Sequence, residues 1–338
     1  MRGDREGALF FDTFRTALAR APAGLVRPGP PATPADIAAA ERALGRPIPE
    51  SYTAFLRSFD GAELFHESVV LGGVGAGARS LVDANRPPMP PALAPGELVF
   101  AETSGGDRYA FDTAAPPRVV HVRAGSDERW LASASFPRWL DALMARELIL
   151  YDPEGEFLLE AFEPDGEELT PTFALRQAER ALRKDPDSAE SHHDLAVALR
   201  RCGRLARARE HFARATELDP ENPWPWFDRG RSELAESAAA ALGSFRRAAE
   251  TAPGPQGAHF FVWAARAAAE AGLAAEADQA RKDALARDPD VLAALQRAVD
   301  ASTENDDDDA HAEAQRLVES LSPRRRLPLA GDDSRRRP

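Results

Sequence analysis

Two hydrophobic rhythms divide this chain. From residue 172 onward, apolar positions return every three or four residues in helix-length blocks. Between residues 68 and 123 they come instead in short runs separated by turn residues: Ser68–Leu71, Glu97–Ala101, Asp107–Asp112 and Arg118–Arg123. That pattern predicts β-strands. Ahead of the strands, Phe10, Phe11, Phe14 and Leu18 keep helical spacing, and a Pro/Gly-rich connector runs from Pro22 to Pro34. Asp36–Leu44 reads as a helix stopped by Gly45, and Pro49 opens another that runs to Phe59. A closing helix begins at Ser135-Phe136-Pro137. Helices, then strands, then a helix predict an α+β domain, with helices packed on an antiparallel or mixed sheet.

The second half repeats itself. Pro186, Pro220, Pro253 and Pro289 lie 34, 33 and 36 residues apart, and five residues before each stands Ala181, Ala215, Ala248 or Ala284. Proline ends a helix by removing a donor and crowding the preceding turn, and alanine lets neighbouring helices cross closely. The unit from Ala189 to Asn222 carries Leu195-Ala196, Leu199, Gly203, Ala208, Phe212, Ala215 and Pro220. These residues resemble the tetratricopeptide repeat position by position, with His192 where the opening tryptophan is usual. A second unit holds Trp226, Gly230, Ala241, Phe245, Ala248 and Pro253, and a third holds Phe261, Ala265, Ala268, Gly272, Ala277, Ala284 and Pro289. The second unit lacks the turn glycine, and the third has Arg281 where an aromatic is usual. The expected architecture is an all-α stack of three hairpins, with Thr172–Pro186 as a lone capping helix.

The resemblance implies that the first helices line a groove. Its facing positions would be Glu190, His193, Val197, Arg200 and Arg201, then Trp224, Phe227, Arg231, His259, Val262 and Arg266. Arginines among aromatics suit a peptide carrying carboxylates, because guanidinium forks pair with carboxylates and rings add apolar area. The same positions read equally well as ordinary solvated helix faces.

In the first half, Ile37, Glu41, Leu44-Gly45, Ile48-Pro49, Tyr52, Phe55-Leu56 and Asp60-Gly61 form a helical block. They are followed by the Gly106–Asp112 and Val119–His121 strands and by Ala134-Ser135-Phe136. This order resembles the Smi/Knr (SUKH) family over roughly residues 34–147, with Asp60-Gly61 where Asn-Gly is usual. The family includes bacterial toxin-immunity proteins and fungal cell-wall regulators. The resemblance implies a non-enzymatic fold whose surface binds a protein, often a toxin. Glu63, Asp107, Tyr109, Asp112 and Trp130 would face such a partner, although most serve equally well as turn and sheet residues. The expected domains are 1–33 (helix and linker), 34–150 (SUKH-like), 151–171 (connector), 172–300 (repeats) and 301–338 (acidic linker, short helix and Arg-rich tail).

Composition narrows the partners. The net charge is −13, most of it beyond residue 150, and such a surface repels phosphate backbones, so no nucleic acid is expected. No run of apolar residues reaches the length of a membrane span, and the N-terminus does not read as a signal peptide. The single cysteine, Cys202, excludes an internal disulfide and agrees with a cytoplasmic location. The glycines of Gly72–Gly77 lack a following Lys-Ser/Thr, His192-His193-Asp194 points its side chains different ways along a helix, and Asp306–Asp309 lacks the glycine of a calcium loop. No cofactor or metal is expected. The reading that results is a protein-binding protein, a toxin-neutralising immunity protein or else a general intracellular adaptor. Its partners would be a toxin domain or an acidic peptide.

Overall fold

The computed structural model describes residues 14–75, 79–89, 92–126, 128–166, 168–304 and 308–321. It falls into two compact units, one ending at Pro225 and the other starting at Trp226. The Arg-rich tail, residues 76–77 of the Gly72–Gly77 loop and residues 306–307 of the Asp306–Asp309 run lie outside the described residues.

In the first unit seven strands form one sheet whose spatial order is the sequence order: β1 (Val26–Pro28), β2 (Ala62–Leu64), β3 (Val69–Leu71), β4 (Leu98–Thr103), β5 (Arg108–Phe111), β6 (Val119–Val122) and β7 (Arg129–Ser133). Every pairing is antiparallel, so the mixed alternative does not arise. The meander leaves β1 and β7 as edges. β1 falls inside the expected linker, because a three-residue strand ending in proline carries no strand signature; an edge is where such a strand is tolerated.

Alternation along the strands sorts the two faces. Leu98, Phe111 and Val119 align on one, and Val99, Ala110 and Val120 on the other. The first face shares its core with α1 (residues 14–20), α2 (Pro34–Leu44), α3 (Glu50–Leu56) and α5 (Phe136–Glu147). α2 starts where Thr33 and Asp36 cap each other reciprocally, and it stops at Gly45, whose φ of 68° suits glycine. Tyr52 stands at the centre of the aromatic core and donates its hydroxyl to the Gly72 carbonyl at 2.6 Å. The four-residue helix α4 (Leu81–Ala84) follows β3.

The β2–β3 turn holds Phe65, His66 and Glu67 in succession at φ of 56°, 55° and 66°, a conformation costly for side chains with a Cβ. It is held from outside: Phe65 stacks on Tyr151, and His66 Nε2 meets the Gly155 carbonyl at 2.9 Å. Within residues 151–171, expected as a connector, Tyr151 and Ala161 are buried in this core, while Phe157 and Leu159 are exposed.

The unit continues into α6 (Pro171–Lys184), α7 (Ala189–Arg201) and α8 (Leu205–Leu218). Leu175, Leu195, Ala196, Leu199, Ala208 and Phe212 interlock between them, and Gly203 turns the chain at φ 72°. α9 (Pro223–Leu234) begins just before the unit ends.

The second unit holds the rest of α9 with α10 (Ala238–Thr251), α11 (Gly254–Glu270), α12 (Ala274–Arg287), α13 (Val291–Glu304) and α14 (Asp308–Leu321). Gly230 lets α9 press on the Phe245 ring, which a Cβ there would meet at 2.7 Å. α11 is buried nearly all round, with Val262, Trp263, Ala264, Ala265, Ala267 and Ala268 out of solvent. α13 runs past residue 300, where the repeats were expected to stop. Among the described residues, no helix is long and apolar enough to cross a membrane.

Candidate protein-binding surfaces

Two of the first hairpin's expected groove residues, Glu190 and His193, turn towards the sheet. His121 on β6 places Nδ1 2.5 Å from Glu190 Oε1 on α7, and its Nε2 lies 3.3 Å from Asp107 Oδ2. The His121 and Glu190 side chains are only 7% and 10% exposed. Burial opposes the histidine's charge, yet Glu190 and Asp107 outweigh it and lift His121 to about 9. Burial likewise works against the Glu190 carboxylate, but the His121 cation holds it well below the ordinary glutamate range. The two are a charged pair at neutral pH. Tyr109 stacks on the His121 ring at 4.4 Å, and Arg146 of α5 reaches the Tyr109 hydroxyl at 3.5 Å. Burial opposes the Arg146 charge too, while Tyr109, Glu147, Glu190 and Asp194 sustain it.

These groups line a cavity of about 580 Å3. Cations and carboxylates there neutralise one another. A histidine held protonated by two carboxylates is a poor general base at neutral pH, because such a base works best with a pKa near the ambient pH. The cluster is built to fasten β6 to α7.

The fastening continues along the free edge of β7. Ser188 Oγ donates to the Ala132 carbonyl at 2.6 Å, Leu131 N donates to Asp219 Oδ2 at 3.1 Å, and Asn222 Nδ2 donates to the Arg129 carbonyl at 3.1 Å. Ser188 also caps α7, accepting from Ser191 N, and Asn222 accepts from Trp224 N at the start of α9. Arg129 and Ala132 are three residues apart, roughly 10 Å along a strand. Neighbouring packed helices lie about 8–10 Å apart. One edge strand thus spans the starts of two successive first helices, and inter-repeat side chains satisfy the backbone groups an edge leaves open.

The sequence-predicted residues are distributed accordingly. Trp130 is buried, its ring 4.6 Å from His193 and under the Arg123 guanidinium. Tyr109 is buried in the core, and Asp112 closes the β5–β6 turn by accepting from Arg118 and Ala114. Asp107 joins His121 and accepts from Ala124 N, while Glu63 is half-exposed and paired with Arg27 at 2.7 Å. His193 and Glu190 face the sheet, and Arg200 lies over Phe212. Arg201 donates to the Leu169 carbonyl and pairs with Glu168, and Trp224 is half-buried. His121, Arg146, Ser188, Asp219 and Asn222 were not singled out from sequence. The visible signal for Ser188 and Asn222 is their place just before a helix, where such residues cap.

The second unit brings the remaining predicted residues together. Phe227 stacks on Phe260 at 4.6 Å and meets Trp263 edge-on at 5.5 Å. The Arg231 guanidinium lies over both Phe227 and Trp263, at 5.8 and 5.6 Å, and Arg266 lies over Trp263 at 5.1 Å. Trp263 Nε1 donates to His259 Nε2 at 3.1 Å. Burial and the nearby Arg231 lower the His259 pKa, so the ring stays neutral and can accept. Val262 is fully buried, Arg231 stays partly exposed above the buried rings, and Arg266, mostly out of solvent, pairs with Glu270 at 2.9 Å. Among the described residues, no group of three or more His, Cys, Asp or Glu is placed to hold a metal ion.

Comparison with known proteins agrees with these two architectures. Residues 31–142 match the SMI1 / KNR4 family (SUKH-1), and residues 189–232 match the tetratricopeptide repeat. The chain carries a SUKH-1 domain followed by tetratricopeptide repeats, modules that support a protein-interaction role. Similar solved structures include MamA from Desulfovibrio magneticus RS-1, at 21% identity over 45% of this chain and 85% of that one, with a TM-score of 0.31. A second MamA crystal structure shares 18% identity over 44% of this chain and 88% of that one, at a TM-score of 0.34. YrrB, described as a TPR protein with an unusual peptide-binding site, shares 18% over 44% and 77%, at 0.32. No curated protein matches the chain.

Proposed function

We propose that this chain is a non-enzymatic, cytoplasmic immunity-type protein that neutralises a toxin by covering it through its SUKH-1 domain, with the repeats as a second binding surface. The observation that carries this reading is the SUKH-1 match over residues 31–142 in a domain fastened to a tetratricopeptide hairpin through the buried His121–Glu190 pair. Occlusion requires a surface that does not yield when a partner presses on it, and the clasped sheet edge supplies one. The test is co-expression with toxin domains encoded beside the gene. Survival of the host and recovery of a stoichiometric complex are expected. Host death with no complex formed, for every neighbouring toxin, would remove the reading.

A second reading, a general intracellular adaptor, draws on the Arg231–Trp263–Arg266 surface, whose chemistry suits acidic peptides of many origins. Affinity purification separates the two. Recovery of ordinary cellular proteins through the second unit, with no toxin recovered, favours the adaptor.

A further inference from the structure

α6 has two opposite faces. It packs between α5 and α7 and buries Leu175, Ala178 and Ala181. Arg176, Arg180 and Arg183 recur every three or four residues on the other side, and all three are exposed. Arg176 lies over the Phe173 ring at 5.3 Å, and neither Arg180 nor Arg183 has an ion-pair partner among the described residues. The three arginines line a cavity of about 560 Å3 whose apolar wall is Leu148, Ile149, Leu158 and Phe173, with Glu179 as its one carboxylate. Next to Leu158, Leu159 is 82% exposed, the most of any large hydrophobic side chain among the described residues, and Phe157 is 47% exposed. Solvated arginines or a single exposed leucine would be ordinary surface. Here unpaired cations share a cavity with apolar side chains, beside the most exposed leucine.

We propose that this outer face of α6, with residues 148–159 beside it, binds an acidic helical segment of a partner protein, whose carboxylates pair with Arg176, Arg180 and Arg183 and whose apolar side chain enters the cavity. The inference rests on the protein-binding reading above and gives it a surface and a partner chemistry. The face lies outside the groove that the first helices of the repeats would line, because α6 holds the second-helix position. Charge sets the chemistry of the occupant. The chain carries −13 overall, yet this cavity holds three cations against Glu179 alone. Guanidinium groups one turn apart match carboxylates one turn apart on a partner helix, and the apolar wall supplies the anchor that charge alone lacks. An anionic bilayer would also meet the arginines, but it would repel the rest of this acidic chain, whereas a peptide covers only the patch.

The probe is a labelled helical peptide with glutamates at i, i+4 and i+7 and leucines between them, titrated by fluorescence anisotropy into the full chain. A matched peptide with lysines for the glutamates, and another with alanines for the leucines, serve as controls. The glutamate peptide should bind about tenfold or more tightly than the lysine peptide, and the alanine peptide should bind weakly. Arg176→Glu, Arg180→Glu and Arg183→Glu together should reverse the order of the charged peptides, a gain that a misfolded chain would not show. Arg20→Glu, Arg57→Glu and Arg297→Glu together, equal in charge but outside this face, should leave the order intact. Hydrogen exchange should slow at residues 148–159 when the glutamate peptide is added. Slowing in α9 and α11 instead would place the peptide in the repeat groove and overturn the proposal. Equal affinity for the charged peptides, or indifference to the α6 reversals, overturns it as well. So does co-sedimentation with phosphatidylserine vesicles that the α6 reversals abolish, since the face would then belong to a lipid surface. Peptide binding with the predicted order, beside a failed toxin test, supports this inference and removes the immunity reading; the reverse pattern removes this inference alone.

Discussion

His121 on β6 and Glu190 on α7, 69 residues apart in the chain, meet at 2.5 Å out of solvent and join the SUKH-1 sheet to the first repeat hairpin. A buried pair of this kind is costly to break, because removing one charge strands the other in a place it cannot be solvated.

Glu190→Gln should therefore destabilise the first unit by roughly 3 kcal/mol near pH 6. The pH dependence has a definite sign. His121 is raised to about 9, so its contribution is full below the ordinary histidine value and fades as pH climbs through about 9. Glu190 is lowered, so its contribution is full above the ordinary glutamate value and is lost as pH falls beneath it. Urea unfolding of wild type and variant should differ most between about pH 5 and 7 and converge by about pH 10.

His192 and His211 predict the opposite trend. His192 Nε2 must donate to the Pro186 carbonyl, 3.1 Å away, which leaves Nδ1 to accept from His211 Nδ1 at 3.0 Å. That bond needs a neutral His192, and burial lowers both histidines' pKa values. Its stabilisation is present above about pH 6.5 and lost as the solution is acidified, worth about 1 kcal/mol. His211→Leu should lower stability by about 1 kcal/mol above about pH 6.5 and converge with the wild type as the solution is acidified, flattening the profile in between.

Asp219→Ala and Asn222→Ala each remove a bond to the open edge of β7, at Leu131 N and the Arg129 carbonyl. Each should cost about 1 kcal/mol in denaturant unfolding.

Two small residues test the helix crossings. Ala208→Glu would drive a charge among Leu195, Leu199 and Phe212 and should cost roughly 3 kcal/mol or more. Gly230→Ala would press a methyl group into the Phe245 ring and should cost about 1–3 kcal/mol. Melting temperatures unchanged in both would refute the packing described.

Much of this fold was legible in the sequence. The proline period and its paired alanines marked the repeats, the Gly45 stop and the Pro49 start marked two helices, and the runs around β3 to β6 marked strands. β1, β2 and β7 were missed because each holds at most one β-branched or aromatic residue, whereas β3 to β6 hold two or more. The site was less legible. Glu190 and His193 occupy positions that line a groove in an array standing alone, and periodicity within one helix cannot reveal that a strand from another domain lies there. The residues that make the contact, His121, Asp219 and Asn222, become meaningful only once the β7 edge is placed beside them.

Native-state hydrogen exchange in wild type and Glu190→Gln tests the central claim that sheet edge and repeat hairpin form one body. The Leu131 amide and the amides of α7 should open together, with the same free energy, and the substitution should lower both by the same amount. Protection of Leu131 that survives Glu190→Gln unchanged while α7 loosens would show the hairpin to be an independent module.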